Sequence, residues 1–598
     1  MDGGGAFAGV SRSLTGRKWT FAPVDERLAI ALSQRQSIPD IVGRVLAARG
    51  VGLDDASEYL DPRLRSLLPD PGSLIDMERA ASRIVAAVRD GEQIAIFGDY
   101  DVDGATSSAL LHRFLASVGG KVSVYIPDRV AEGYGPNTPA LQRLQREGAK
   151  VVITVDCGAT AYEPLAAATA AGLDVLVVDH HAMEATTPDA YAVVNPNRLD
   201  ETCRDDLKLL AAVGVAFLLA IAVNRKLRDA GWYRDRPEPN LLNSLDIVAL
   251  GTVCDVVPLT GLNRALVAQG LKVLAQRRNT GIAALADVAK LDQKPAAWHL
   301  GFLLGPRVNA GGRVGESGLG TRLLSSDNAA EAADLAGRLD AFNTERRMIE
   351  DEVLTQAIEQ VDEGRGFGKR VVIAAGEGWH PGVIGIVASR LKDRYNRPAC
   401  VIALDKGEGK GSGRSMSGFD LGAAVIAARQ SGILLGGGGH KMAAGFSVAE
   451  SAIPELAGFL DERVEQLLDG QELVPELRLD GILRPSACQT DLVDALAAME
   501  PFGAGNPEPR FMLADVQIAY SKAVGQDQNH VSCRIQGQGG GPQISAIAFR
   551  AMESDIGPAL LGRRPGALHM AGRVRADWWN GERRVQLMID DVASSESA

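Results

Sequence analysis

The sequence has no CxxC pair. Its six cysteines (Cys157, Cys203, Cys254, Cys400, Cys488 and Cys533) stand singly, which excludes a zinc ribbon or a disulfide framework and suits a reducing compartment. Long apolar runs are missing too. The longest, Leu209 to Val223, has 15 residues and includes Gly214; a membrane-crossing helix needs about 20, so this run reads as a buried helix. The N-terminus (MDGGGAFAGVSRS) lacks the charged-then-apolar order of a secretion signal, and a soluble cytoplasmic protein without membrane association is expected. Positive charge is in deficit, 63 Lys and Arg against 75 Asp and Glu. That disfavours a coat for duplex nucleic acid. It does not disfavour a confined groove, because net charge sums the whole chain and carboxylates around bound cations count as acid. Repeats of solenoid period and heptad runs are absent.

At 598 residues the chain exceeds one hydrophobic core, and about three or four domains are expected. Residues 1–20 are Gly/Ser-rich and read as disordered; 21–75 read as short helices. From 76 to 326 helix alternates with short apolar strands (Gln93–Phe97, Val122–Ile126, Val151–Val155, Val175–Val178) and then with helix alone. Continuous apolar strands between helices predict a doubly wound parallel sheet covered on both faces. A long helix over 327–366 joins a second α/β lobe at 367–472. The last stretch, 473–598, alternates short strands (VQIAY, HVSCRI, QISAIAF, HMAGRVRA, RRVQLMI), with a hairpin signal at Asn580-Gly581. It predicts a small barrel of the OB type, a common binder of single strands.

The acids carry the chemistry. Strand IAIF runs straight into GDYDVDG, which sets Asp99, Asp101 and Asp103 at its C-terminal end. VVITV runs into Asp156-Cys157-Gly158, and VLVV into Asp179-His180-His181. In an open parallel sheet these ends face one crevice. Asp255, after DIVALGTVC, is a further candidate. A single Asp after a strand commonly caps the next helix, and Asp99 fits that role best. Three strand ends with a His-His pair are more than caps. So many carboxylates repel unless cations intervene, and an Asp/His donor set without Cys suits Mn²⁺ or Mg²⁺. Two ions sharing one carboxylate, about 3.5–4 Å apart, would activate water and steady charge at phosphorus. His112 and His569 lie within helix or strand patterns and read as structural.

These motifs resemble a known family. GDYDVDG (98–104), DCG (156–158), DHH (179–181) and CDVVPL (254–259) are similar, in order and spacing, to those of the DHH phosphoesterase superfamily, in its RecJ branch. The resemblance continues through LGPRVNAGGR (304–313), GSGRS (411–415), GGGGHKMAAGF (436–446) and PFGAGNPEPRF (501–511), and departs at Gly311, where relatives more often carry Ala. It implies a two-lobed DHH phosphoesterase, its parallel doubly wound catalytic domain joined by the long helix to a DHHA1 lobe, with a C-terminal OB-type barrel. It implies one metal on Asp101 and Asp156 and another on Asp103, Asp156, His180 and Asp255, with Asp156 bridging. His181 would orient or contact the scissile phosphate, and Asp99 joins Asp156 and His181 among the catalytic residues. Ser412 and Arg414, with Arg129, would grip a terminal 5′-phosphate.

The supporting motifs have physical readings of their own. GSGRS offers backbone N–H groups, a hydroxyl and a guanidinium together, and GGGGH, with Gly438 and His440, lets backbone approach a sugar-phosphate chain. Arg307 and Arg313 would line a groove between the lobes, with surface ion pairing as the alternative, and Asn309 of the same motif is a further substrate-binding candidate. His380 is either a substrate contact or a cap. In the barrel Arg573, Arg575, Trp578, Trp579, Arg583 and Arg584 interleave cations and aromatics as base-stacking surfaces do, or simply pair across a hairpin. The implied activity is hydrolysis of single-stranded DNA from a 5′ end, releasing 5′-mononucleotides in repair and recombination. The implied setting is a monomer working near a single-strand-binding protein and a helicase. Alternatives are a hydrolase of short oligonucleotides, cyclic dinucleotides or pyrophosphate, and a scaffold without catalysis.

Overall fold

The structure of the protein is a computed structural model, and it describes residues 10–129, 131–468, 474–562, 566–579 and 582–594. The chain forms two compact units. One comprises 69–255 and 270–473; the other comprises the residues up to 68, 256–269 and those from 474 onward.

The first unit holds both α/β lobes. Its first sheet contains β1 (Gln93–Gly98), β2 (Lys121–Tyr125), β3 (Ala149–Val155), β4 (Asp174–Val178) and β5 (Ala192–Val194). All five are parallel, in the order β2-β1-β3-β4-β5. The residues of β3 beyond Lys150 and of β4 beyond Asp174 are fully buried, as expected for strands covered on both faces. Strand β5 has only three residues, too few for a periodic signal. Helix α1 (Val102–Ser117) starts where Asp101 caps it, its carboxylate accepting from Gly104 N at 3.0 Å. A Cβ at Gly104 would lie 2.4 Å from Asp99 O, so only glycine lets the strand turn this tightly into the helix. Helix α2 (Leu245–Cys254) ends at Asp255, and α3 (Gly305–Val314) carries the GPRVNAGGR segment. A Cβ at Gly311 would meet Glu316 O at 2.8 Å, so glycine suits this position.

The 34-residue helix α4 (Ala329–Asp362) opens with the Asn328 side chain accepting from Ala330 N and Glu331 N. It leads to a mixed sheet of β6 (Val372–Glu377), β7 (Ala399–Asp405), β8 (Glu408–Arg414), β9 (Gly436–His440) and β10 (Ala443–Ala449), in the order β9-β10-β8-β7-β6. Helix α5 (Ile384–Tyr395) packs on β7 and β8. Among the described residues no helix is long and apolar enough to cross a membrane.

The second unit is built on a closed barrel. Strands Phe511–Val524, His530–Gly537, Ile544–Ala548, Glu582–Ser594 and Leu568–Trp579 pair in succession, and the last pairs back with the first. The five strands foreseen are all present; the Asn580-Gly581 step between two of them lies outside the described residues. The foreseen disorder of 1–20 does not hold for its described part. Lys18–Phe21 is a strand parallel to Glu476–Leu479, Val10 and Trp19 are fully buried, and Trp19 Nε1 donates to Asp591 at 2.8 Å. Two large apolar residues with a niche outweigh a Gly/Ser-rich composition. The catalytic stretch 76–326 is also interrupted. Residues 256–269 belong with the barrel unit, where Leu259 N donates to Ala504 O at 2.8 Å and buried Arg264 donates to Tyr59 O and Glu500 O.

Candidate metal centre and phosphate cleft

Strand ends β1, β3 and β4 and the end of α2 deliver their acids to one place. Asp99, Asp103, Asp156 and Asp179 are all buried. Three groups of ligand atoms each lie within 4.8 Å: Asp99–Asp101–Asp156, Asp103–His180–Asp255 and Asp156–His180–His181. Asp156 belongs to two of them, between the GDYDVDG acids on one side and the histidines on the other. His180 Nε2 is 3.3 Å from Asp156 Oδ1, 3.6 Å from Asp255 Oδ2 and 3.9 Å from Asp103 Oδ2. Asp103 is also clamped by the start of helix Ala212–Asp229, accepting from Ala212 N at 2.6 Å and Val213 N at 2.9 Å. Asp156 holds φ +61°, a left-handed backbone that a non-glycine residue adopts at a cost and that clusters at working sites.

The electrostatics demand a counter-charge. Burial first, then the negative charge of Asp101, pushes Asp99 up to about 8 and Asp103 up to about 7. Burial, then Asp103 and Asp101, pushes Asp255 up to about 9, and Asp156 is raised well above the carboxylate range by burial and three neighbouring acids of the GDYDVDG loop. Burial and then His181 drop His180 to about 4, so it is a neutral nitrogen donor. Asp99 Oδ1, His180 Nε2 and Asp255 Oδ2 are buried without a hydrogen-bond partner. Unpaired buried acceptors of this kind are costly, and divalent cations satisfy them. The donors are oxygen and imidazole nitrogen; the Cys157 thiol turns to Val155 O and that of Cys254 to Leu300 O. Hard cations of the Mn²⁺ and Mg²⁺ kind fit this set.

Asp179 has another task. It accepts from Ala159 N (2.9 Å), His180 N (2.7 Å), His181 N (3.2 Å) and His181 Nδ1 (2.7 Å). Burial alone would raise Asp179, but these donors hold it below the ordinary value and ionised. Its charge in turn raises His181 against the opposing effect of burial, and fixes the ring so that Nε2 is the remaining polar atom. Three supporting residues escaped the sequence reading. Tyr134 Oη donates to Asp156 O at 3.0 Å and lies 3.4 Å from His181 Nδ1. Asn195 donates to His181 O at 2.9 Å, and Asn197 to His180 O at 2.6 Å. An Asn-Pro-Asn run directly after β5 was the available signal.

Beside the acids lies a cleft of about 530 Å³ lined by Arg129, Arg313, Ser412 and Arg414, with Gly385 of α5 and Gly436 and Gly437 of β9. Both lobes contribute. The guanidiniums donate to neutral acceptors, Arg313 to Gly382 O (2.8 Å), Arg414 to Ser412 Oγ (3.2 Å) and Gly413 O (2.8 Å), and Arg129 lies over the Tyr100 ring at 4.9 Å. Burial and then Arg129 bring Arg313 down to about 10, so it stays charged at neutral pH. The N-terminus of α5 adds its backbone N–H groups and positive dipole end, so the cleft suits an anion with several acceptor oxygens.

Other expected contacts lie elsewhere. Arg307 is buried and committed to Asp340 (2.8 Å) and Leu303 O (2.7 Å), so it braces α3 against α4 and does not line the groove. His380 Nδ1 accepts from Gly382 N at 3.0 Å and caps a turn. Gly438 and His440 are outside the arginine cleft, His440 exposed at the end of β9. Asn309 faces a second cleft, shared with Arg313. In the barrel Arg573 pairs with Asp590, Arg575 with Glu508 and Arg583 with Asp494. These arginines serve carboxylates, which removes the case for them as a base-stacking surface; the Trp578 and Trp579 side chains lie outside what is described. His569 Nδ1 accepts from Asp515 N at 3.2 Å, in keeping with a structural role.

Comparison with known proteins agrees with this anatomy. Residues 93–252 match the DHH family, N-terminal domain, 368–466 the DHHA1 domain and 479–591 the RecJ OB domain. The single-stranded-DNA-specific exonuclease RecJ of Escherichia coli is 36% identical over 567 residues, 93% of this chain and 96% of that protein. Its Bacillus subtilis counterpart is 33% identical over 583 residues, 97% of this chain and 71% of that protein. Among solved structures, the RecJ of Thermus thermophilus with Mn²⁺ superposes with a TM-score of 0.78 at 29% identity, covering 96% of this chain and 78% of that one. The same protein with Mg²⁺ gives 0.73 at 28%, covering 96% and 77%.

Proposed function

The chain belongs to the RecJ family, and from that premise we propose that it is a metal-dependent exonuclease specific for single-stranded DNA, working from the 5′ end and releasing 5′-mononucleotides. One observation carries the reading: an acid cluster with three orphaned buried donors opens beside a cleft of unneutralised guanidiniums. The first is a place to cut a phosphodiester and the second a place to hold a phosphate.

Asp101 and Asp156 would hold one divalent cation and Asp103, Asp156, His180 and Asp255 the other. When bound, such a pair supplies Lewis-acid activation of water and of the scissile phosphate. The protein's own groups do the rest. Arg129, Arg313, Ser412 and Arg414 bind the terminal 5′-phosphate, and holding that end sets which phosphodiester meets the acids. His181, whose protonated form Asp179 favours, faces charge developing at phosphorus. Asn195, Asn197 and Tyr134 keep the DHH and DCG turns in place. A cleft between lobes that admits one strand excludes a duplex.

Digestion of strands labelled at either end, single and double, under Mn²⁺ and under Mg²⁺ tests this. Labelled mononucleotide from the 5′ end of the single strand is expected at once, and Asp156→Ala should remove it. Release from the 3′ end first, or full activity in the variant, would refute the assignment. The hydrolase of short oligonucleotides is disfavoured by the barrel, a domain for which small substrates have no use. Action in repair and recombination, as a monomer alongside a helicase and a single-strand-binding protein, completes the proposal.

A further inference from the structure

A second cleft, of about 490 Å³, shares Arg313 with the phosphate cleft. We propose that it is a further nucleotide subsite, which stacks an unpaired base on Phe302 and neutralises a phosphate with Arg347 and Arg390; this rests on the nuclease reading above. One wall is a helical stripe, Phe302, Pro306, Asn309 and Arg313, spaced i, i+4, i+7 and i+11 so that all four face the same way. The facing wall is α4, with Arg346, Arg347 and Glu350, together with Arg390 of α5.

Three features point to a ligand. Phe302 is 76% exposed, a large ring that no core absorbs. It sits on a π-helical turn, Leu300–Leu304, and such turns are frequent at working sites. Glu350, almost fully buried, is shared between Arg346 (2.6 Å) and Arg390 (2.9 Å). Its charge is thus more than neutralised, and the cleft stays cationic with four guanidiniums against Glu350 and Asp351. Finally, Arg346 is 8% exposed and its Nε has no partner. An exposed ring beside guanidiniums that outnumber the cleft's acids is the pairing that takes a base and its phosphate. A stacked duplex presents no free base face, so the subsite would add to selectivity for single strands.

Two sources could supply that nucleotide: the strand running on past the cut, or the mononucleotide just released. Phe302→Ala and Arg347→Ala, both at exposed positions, separate them in metal-free chelating buffer. Anisotropy of a labelled long oligothymidylate reads the strand, and calorimetric titration with thymidine 5′-monophosphate reads the product. A strand subsite predicts that the dissociation constant of the oligonucleotide rises about tenfold in Phe302→Ala. A product subsite predicts that the second mononucleotide binding event disappears. If neither quantity moves while both variants keep the wild-type melting temperature, the proposal is wrong. A wild-type chain that binds the strand but does not cut it under Mn²⁺ would sink the nuclease reading and leave this comparison of binding standing.

Discussion

Gly385 separates the stability of the fold from its grip on phosphate. It lies in the first turn of α5, where alanine is favoured over glycine by about 0.5–1 kcal/mol. An added Cβ would sit 2.9 Å from Arg414 Nη2 and 3.0 Å from Ser412 Oγ, against an ordinary contact of 3.4 Å or more. Both obstacles are ends of side chains, so they retreat by about 0.5 Å and the backbone stays put. That retreat falls on the two groups expected to hold the terminal phosphate. A charge-assisted hydrogen bond contributes about 1.5–3 kcal/mol, of which partial loss corresponds to about tenfold in affinity. Gly385→Ala should therefore melt no lower than wild type while its KM for a 5′-phosphorylated strand rises about tenfold. On a strand with a 5′-hydroxyl the rise should be much smaller. Steady-state kinetics on the two strands, with calorimetric melting, reads both halves. An equal rise on both strands, or a lowered melting temperature with KM unmoved, would show that the cleft does not hold the end of the substrate.

The acids of the centre make a pH prediction. Asp103, Asp99 and Asp255 have folded values raised to about 7, 8 and 9, above their unfolded values. A raised group stabilises the fold fully below its unfolded pKa and loses that contribution as pH climbs through the folded one. The metal-free protein should thus lose stability from about pH 4, where unfolded aspartates ionise, up to about pH 9, and the increase in melting temperature on adding Mn²⁺ should grow over the same range; an increment that shrinks with pH would contradict the electrostatics. Asp179→Asn should lower kcat by about 10–100-fold with KM for DNA little changed, since it frees the His181 ring; unchanged kcat would mean the ring needs no anchor. Arg307→Ala should destabilise the fold by about 1–2 kcal/mol in denaturant titration and leave KM close to wild type, and a large KM effect would return Arg307 to the groove.

The centre was legible because a parallel sheet aims all its strand ends at one crevice, so acids at three strand ends in the sequence become neighbours in space without any knowledge of packing. Residues that act through backbone did not show. Tyr134, Asn195 and Asn197 reach carbonyl groups of Asp156, His181 and His180, and a carbonyl leaves no mark in a sequence. Arg307 and Arg313 lie on one helix in one motif, yet Asp340 claims the first and the cleft receives the second. The spacing of two arginines on a helix says nothing about which face meets an acid. Residues 256–269 were harder still. They follow Asp255 directly, and only tertiary partners such as Ala504 O and Glu500 O assign them to the barrel unit.

The acidic balance of the chain, net −12, is at first sight the wrong sign for an enzyme that holds a polyanion. Locally the sign reverses. Arg129, Arg313 and Arg414 meet in one cleft, and burial, then the crowding of like charge, brings Arg313 down to about 10. Cations that depress one another in this way gain when an anion enters, so the phosphate relieves a repulsion already built into the fold. The acid cluster is the mirror case. Asp99, Asp103, Asp156 and Asp255 sit above their usual range because burial raises them and neighbouring carboxylates raise them further, and a divalent cation relieves them. The two frustrated clusters adjoin, with Asp101 among the groups that act on Arg313. Each on its own would lose part of its charge to the other through ion pairing. Because the guanidiniums are turned to neutral acceptors and Asp101 and Asp103 accept from backbone N–H groups, neither set is spent on the other, and the whole-chain charge says little about what the site binds.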